Sequence, residues 1–342
     1  MTRPDPAPVL ELIDAFRKSK TMFTALKLGV FDLLEHGGCN LAALAETTGT
    51  QPESLERLLH ACVCLGLLET AGDHFRNSEI SKSYLVRSSP DTLAGYIEYS
   101  DEALYPMWAN LEQAVREGTH RWQQTFKLSG NALFEHFFHS DEAMRTFLIG
   151  MHGFGMLSSP AVVAAFDLSP FSQLVDLGGG TGHLAVAACE RHSQLRATVF
   201  DLPRVMGFAR QLLAKSTASN RVGCEEGDFF HDALPPADLY ALGRILHDWN
   251  QEKIHILLGR IFRSLPAGGG LLIAEKLMNE DHIGPLHANM QSLNMLVCTE
   301  GRERTLSEYQ QLLRSAGFSS VQGVVTGQPL DAILALKEVT MP

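Results

Sequence analysis

The sequence predicts an α/β protein in which an open, mostly parallel, doubly wound sheet follows an α-helical region containing a winged-helix-like unit. Three observations carry this. From residue 9 to about residue 165, apolar residues recur three or four positions apart and strand-like runs are few. From about Phe171, short apolar runs alternate with helical patterns, the signature of strands joined by crossover helices. The last stretch reads as a helix followed by two strands around a Gly327-Gln328-Pro329 turn, which is not how a standard dinucleotide domain closes.

In the helical region, Val9–Lys20, Glu53–Leu68 and Thr92–Glu117 have helical periodicity. LAALAETTG, a turn with Pro52, and ESLERLLHACVCLGLLE form a helix-turn-helix, and LETAGDHFRNS a short hairpin turning at Gly72-Asp73. Such a unit serves either for packing and dimerisation or for DNA binding. Its second helix begins Glu53, Ser54, Leu55, Glu56 and offers only Arg57 and His60 as basic groups, which is poor equipment for bases and phosphates. A structural, dimerising role is expected.

In the second region QLVDLG, ATVFDL, DLYALG and GLLIAEKL are buried-strand runs, and a weaker strand around Val222 is placed by its position in the alternation. HLAVAACERH, VMGFARQLLAKS and KIHILLGRIFRSL are the intervening helices. LSEYQQLLRSAGF is a helix, and SSVQGVVTG and LDAILALK are the closing strands.

Composition narrows the function. Of 342 residues 45% are hydrophobic and 20% charged, enough for a large core and for more than one domain. A net charge of −11 without a basic cluster disfavours nucleic acid as a partner. No apolar run is seen to approach the ~18 residues of a membrane span, and the N-terminus lacks the pattern of a secretory signal, so no membrane association and a cytoplasmic location are expected. Six cysteines without a CxxC pair read as reduced thiols rather than disulfides or a zinc site.

Asp176-Leu-Gly-Gly-Gly-Thr-Gly182 follows a strand and opens a helix, so Gly178 and Gly180 let a ligand approach backbone N–H groups. Alone the turn does not choose among cofactors. Asp201, with Leu202, ends the second strand, where a carboxylate can accept from ribose hydroxyls. Asp228 and Phe229 follow the third strand, offering an acid for an adenine amine and a ring to stack on it. Arg244 ends the fourth strand, near where an amino-acid tail would sit. These positions converge outside the carboxyl ends of the strands. Asp176 beside the glycines suits a cationic cofactor better than a pyrophosphate, so S-adenosylmethionine is expected rather than a nicotinamide dinucleotide.

LVDLGGGTG, FDLP, EGDFF, LGRILHDW, AEKL, SLNMLV and EGRERTLSEY, in this order, resemble the small-molecule O-methyltransferases, which include plant phenol methyltransferases and acetylserotonin (hydroxyindole) enzymes. PVLELIDAFRKSK, SLNMLV and LDAILALK are similar to the acetylserotonin group, and the resemblance spans nearly the whole chain. It implies a Rossmann-like class I methyltransferase domain with a seven-stranded sheet, and an N-terminal winged-helix domain through which a homodimer forms and contributes to the partner's substrate pocket. The expected divisions are residues 1–105 for dimerisation, 106–170 as a helical connector lining the substrate pocket, and 171–342 for S-adenosylmethionine.

His247 in ILHDW falls just after the fourth strand, where a neutral imidazole can take the proton of an acceptor hydroxyl as it attacks a methyl group. The family pattern places two acids beside it, at Glu275 and Glu303, either of which can orient the ring through Nδ1. Asn294, Met290 and Cys298 match the segment lining the acceptor pocket. The expected acceptor is a small planar aromatic hydroxyl, a phenol or hydroxyindole; Cys298 stands where acetylserotonin enzymes carry glutamine, which replaces an amide that could bind an acetamido group by a small thiol. His152, Phe154 and Trp108 are candidate wall residues, while His136 and His139 read as an aromatic helical face. No metal is expected, because no carboxylate cluster is evident. The alternatives are transfer to nitrogen or carbon on the same fold, and a non-catalytic S-adenosylmethionine-binding or regulatory protein.

Overall fold

The computed structural model describes residues 3–128 and 133–338. The chain divides after Ala103 into two compact units.

In the first unit a long helix, Ala7–Lys27, precedes the helix pair Leu41–Thr48 and Pro52–Cys64. The Asn40 side chain accepts from the Ala43 N–H and caps the first of the pair, and Gly49 ends it in the left-handed region. Pro52 opens the next helix, where its missing N–H has no partner to lose. Strands Leu68–Ala71 and His74–Asn77 pair antiparallel around Gly72-Asp73, with Gly72 at φ +66°, and Cys39–Asn40 adds a third strand. Phe23, Leu26, Phe31, Leu44, Leu55 and Leu59 are buried in one core. One stripe of the long helix is not: Val9, Leu10, Leu12, Ile13 and Phe16 are 53–77% exposed.

Thr92–Glu117, read from periodicity as continuous helix, is broken. Helix Ala94–Tyr99 gives way to a wider π-turn at Ser100–Leu104, then to Tyr105–Trp108 and Leu111–Glu117. Pro106 lacks the N–H needed for continuity, and periodicity does not register such a break.

The second unit carries a seven-stranded sheet: β1 Gln173–Leu177, β2 Arg196–Asp201, β3 Val222–Glu226, β4 Leu239–Gly243, β5 Gly270–Glu275, β6 Ser320–Val324 and β7 Asp331–Leu336. The order is β6-β7-β5-β4-β1-β2-β3, parallel from β5 to β3 and antiparallel at β5–β7 and β7–β6. The direction in which successive strands are added reverses between the parallel neighbours β1 and β4, and the crevice over their carboxyl ends is the switch point at which open sheets bind ligands. β5 is buried at all six positions, as a central parallel strand should be, whereas edge strand β3 buries only Val222.

Helix Asp141–Ala164 packs on helix His183–Arg191, which rises from the glycine turn. It corrects the expectation about apolar runs: by length and composition it is apolar enough to cross a bilayer, with 44% of that stretch buried. Part of that apolar character is used internally, since Leu148, Val162 and Val163 are among its buried residues, and Ser159 Oγ meets His183 Nδ1 at 2.8 Å.

Candidate active site

The glycine turn leaves the end of β1 with Gly178, Gly180 and Gly182 all at positive φ. Gly178 has a second reason to be glycine: a Cβ there would stand 2.7 Å from Ile245 Cδ1 and 3.1 Å from Phe229 Cε1. The turn is thus pressed between the loops that follow β3 and β4. At Gly180 the nearest atom to such a Cβ is Leu148 Cδ2 at 3.7 Å, so that side of the turn is open.

Two carboxylates face the turn. Asp201 accepts from the N–H groups of Gly180 (2.8 Å) and Leu202 (2.7 Å), one per oxygen, leaving lone pairs for a further donor on each. Asp176 is 1% exposed and its Oδ2 is buried without a partner. Burial pushes Asp176 up to about 7 and Asp201 up to about 6. Asp228 accepts from the Phe230 N–H at 2.7 Å and so also shapes its own turn, holding Phe229 beside Gly178. Arg244 lies in the left-handed region at φ +57°, its guanidinium 4.6 Å from the Phe154 ring centroid, with Nη1 buried and unpartnered. A buried acceptor at Asp176 and a buried donor at Arg244 are the complement of an ammonium and a carboxylate, the two ends of an amino-acid tail. The residues present therefore fit S-adenosylmethionine.

His247 sits in a single 3-10 turn, Leu246–Asp248, beyond β4, and is 2% exposed. Its Nδ1 lies 2.7 Å from Glu303 Oε1 and 3.3 Å from Glu275 Oε2. The acids divide the work. Glu275 Oε1 accepts from the backbone N–H groups of Ile245 (3.0 Å), Leu246 (2.8 Å) and His247 (3.4 Å), so it fixes the turn. Glu303 fixes the ring. Burial pushes Glu303 up to about 8, and raises Glu275 as well. Arg304, 5% exposed, donates to the carbonyls of Leu246 and Trp249 and brings positive charge beneath both acids.

Helix Leu286–Cys298 presents Asn294 and Cys298 one turn apart on one buried face, with Met290 a further turn out and 45% exposed. Asn294 Oδ1 accepts from Trp108 Nε1 at 2.8 Å, which leaves its amide N–H groups as the free end. Cys298 is 1% exposed, its Sγ is 3.6 Å from Asn294 Oδ1, and burial raises its thiol. His152 Nδ1 meets Thr181 Oγ1 of the glycine turn at 2.9 Å, and burial lowers this histidine. His136 joins a ring cluster with His120 and Trp122.

One sequence expectation is corrected here. A carboxylate cluster does exist, because ligand-type atoms of His247, Glu275 and Glu303 lie within 4.8 Å of one another. Glu303 Oε1 and Glu275 Oε1 are engaged in the hydrogen bonds just described, while Glu275 Oε2 and Glu303 Oε2 are buried without a hydrogen-bond partner. Sequence reasoning gave Asp248 no part in the site, yet its Oδ1 is 3.7 Å from His247 Nε2, and burial pushes it up to about 7. Adjacency to His247 in the HDW triplet was the available signal. Arg304, within the GRERT segment, was likewise passed over.

A family model described as an O-methyltransferase domain matches residues 108–319, and one described as an O-methyltransferase dimerisation domain matches residues 10–87. The chain is 42% identical to a Gallus gallus protein named acetylserotonin O-methyltransferase, over 97% of each chain. It is 41% identical to the Bos taurus protein of that name, over 96% of each. The crystal structure of human N-acetylserotonin methyltransferase in complex with SAM superimposes with a TM-score of 0.93 at 40% identity, covering 99% of both chains. With a switch-point crevice that fits a cationic amino-acid cofactor, and a match of this extent, the chain belongs to the O-methyltransferase family and is an S-adenosylmethionine-dependent O-methyltransferase with a class I methyltransferase fold and an N-terminal dimerisation domain.

Proposed function

We propose that the enzyme methylates the hydroxyl of a small planar aromatic acceptor, a phenol or hydroxyindole, with His247 as general base. The observation that carries this reading is the 2.7 Å contact between His247 Nδ1 and Glu303 Oε1. A proton held on Nδ1 by a carboxylate leaves the Nε2 lone pair as the acceptor. Phenols titrate near 10 and imidazole near 6.5, so proton transfer becomes favourable as the oxygen begins to bond to carbon. S-adenosylmethionine supplies the methyl group on a sulfonium, which needs no further activation. The chain's own part is to align the hydroxyl and receive its proton at Nε2.

Gly178, Gly180, Asp201, Leu202, Asp228, Phe229 and Arg244 form the cofactor side of this proposal. Asn294, Cys298 and Met290 form the acceptor side, with residues 106–170 contributing Trp108 and Phe154 as walls. Acetylserotonin, named in the relatives, is the first acceptor to test. We place the enzyme in the cytoplasm as a homodimer built on residues 1–105. The exposed stripe from Val9 to Phe16 and the dimerisation-domain match support the dimer, and six free cysteines suit a reducing compartment.

A screen of phenols and hydroxyindoles with S-adenosylmethionine, read by product mass, identifies the acceptor. His247→Ala should then lower turnover by at least a thousandfold while S-adenosylmethionine affinity by calorimetry stays within threefold. Turnover surviving that substitution rules out the general-base role.

A further inference from the structure

The hydrogen bond between His247 and Glu303 joins residues from two separate loops, so something must hold those loops at the right separation. The residues between them show a close seam. The Glu300 N–H donates to the Asp248 carbonyl at 3.2 Å, and the Glu300 carboxylate receives Asn250 Nδ2 at 2.7 Å. Arg304 reaches back to the Leu246 and Trp249 carbonyls. At the centre lies Gly301. A Cβ at this position would stand 2.2 Å from the His247 carbonyl oxygen, 2.8 Å from its carbonyl carbon and 2.8 Å from the Trp249 nitrogen. All three are backbone atoms of the turn that carries the base, so no flexible side chain can yield.

Gly301 φ is not in the left-handed region, so backbone conformation does not demand glycine here. Proximity does. The Gly301 N–H donates to Thr299 Oγ1 at 3.2 Å, and the Thr299 hydroxyl donates to the Met295 carbonyl at 2.9 Å, which ties the loop to the helix bearing Asn294 and Cys298.

We propose that Gly301 is a positioning residue for methyl transfer: its bare backbone seats the 299–304 loop on the His247 carbonyl and thereby sets the hydrogen bond from His247 Nδ1 to Glu303. This rests on His247 acting as the base. A methyl group at position 301 needs about 1 Å more room to reach ordinary contact with the carbonyl oxygen. The same displacement at Glu303 would carry the 2.7 Å contact beyond hydrogen-bonding distance. Misplacement on this scale costs about 100-fold in rate.

The test is a double-mutant cycle in the full-length enzyme, with Gly301→Ala and Glu303→Gln alone and combined. Acceptor and S-adenosylmethionine are varied, and cofactor affinity is followed by calorimetry. Gly301→Ala should lower kcat 30- to 100-fold, with the acceptor KM and cofactor affinity changed less than threefold. In the Glu303→Gln background it should lower kcat less than threefold further, because the charge-assisted bond it disturbs is already gone. The His247 Nδ1 proton, expected far downfield by NMR in the wild type, should shift or vanish in Gly301→Ala. Multiplicative losses in kcat, or an unchanged Nδ1 proton, overturn the proposal.

Should Gly301→Ala fail to bind cofactor, Thr299→Val removes the hydroxyl that holds Gly301 without adding bulk to the seam. It should lower kcat at least fivefold with the same non-additivity, and unchanged kcat refutes positioning through this loop. A His247→Ala enzyme that still turns over separates failure of the base assignment from failure of the Gly301 proposal.

Discussion

Above pH 8, where the raised Glu303 carboxyl is ionised, replacing Glu303 by Gln keeps the side chain's size and removes the charge facing His247 Nδ1 at 2.7 Å. A hydrogen bond to a charged group contributes about 1.5–3 kcal/mol, and each 1.36 kcal/mol is tenfold in rate. If the bond strengthens as the ring takes up the acceptor's proton, all of it is felt in turnover, and kcat falls roughly 10- to 150-fold. Glu275 cannot stand in fully. Its Oε2 is 3.3 Å from the same nitrogen, but its Oε1 is committed to three backbone N–H groups, so the carboxyl cannot slide inward without freeing the turn. Stability should hold or rise. The folded-state value of Glu303, about 8, lies above the ~4.3 of an unfolded chain, so ionising it opposes folding as pH rises through that window, and Gln removes the opposition. The assay is kcat at saturating acceptor and cofactor, with cofactor affinity by calorimetry and melting temperature alongside. A kcat within threefold of wild type, at unchanged cofactor affinity, would refute the orienting role.

Three further outcomes are expected. Burial holds Asp176 at about 7 and Asp201 at about 6, above their unfolded values, so the cofactor-free protein should lose stability as pH rises from ~4 to ~7, while affinity for the cationic cofactor rises and levels off by pH 8; calorimetry showing flat affinity from pH 5.5 to 8 would contradict this. Trp108→Phe deletes the donor that fixes the Asn294 amide, and the acceptor KM should increase about five- to tenfold with kcat within threefold; an unchanged KM would remove Asn294 orientation as a factor. Leu12→Glu places a charge on a position 77% exposed in the N-terminal stripe, and light scattering should show the dimer converted to monomer, a result not obtained if that stripe lies outside the interface.

Much of the fold was legible because the signals were local. β1, β2, β4 and β5 announced themselves as apolar runs between helical patterns, and Gly72-Asp73 gave the hairpin turn. β3 was harder, since an edge strand burying only Val222 has little apolar pattern to read. The break at Ser100–Leu104 was invisible because a π-turn keeps apolar residues near the same spacing. At the site, His247, Asp201 and Arg244 could be placed by their distance from strand ends. The division of labour between Glu275 and Glu303 could not, because it depends on which oxygen meets which N–H across 28 and 56 residues of chain. Met290 shows the limit on the acceptor side: it shares the helical stripe of Asn294 and Cys298, yet is 45% exposed.

The order of the sheet has a consequence for how this enzyme comes into being. β7 is the last of the seven described strands in sequence, but it lies inside the sheet, between β5 and β6, with Asp331 opposite Glu275. Until it is made and inserted, the whole length of β5 is an open edge of apolar residues, the kind that recruits other chains. A nascent chain can therefore form its cofactor turn early and still be incomplete beside Glu275. Interrupted synthesis should yield a sticky, inactive product rather than a weakened enzyme, and chaperone demand should peak while the closing strand is still awaited.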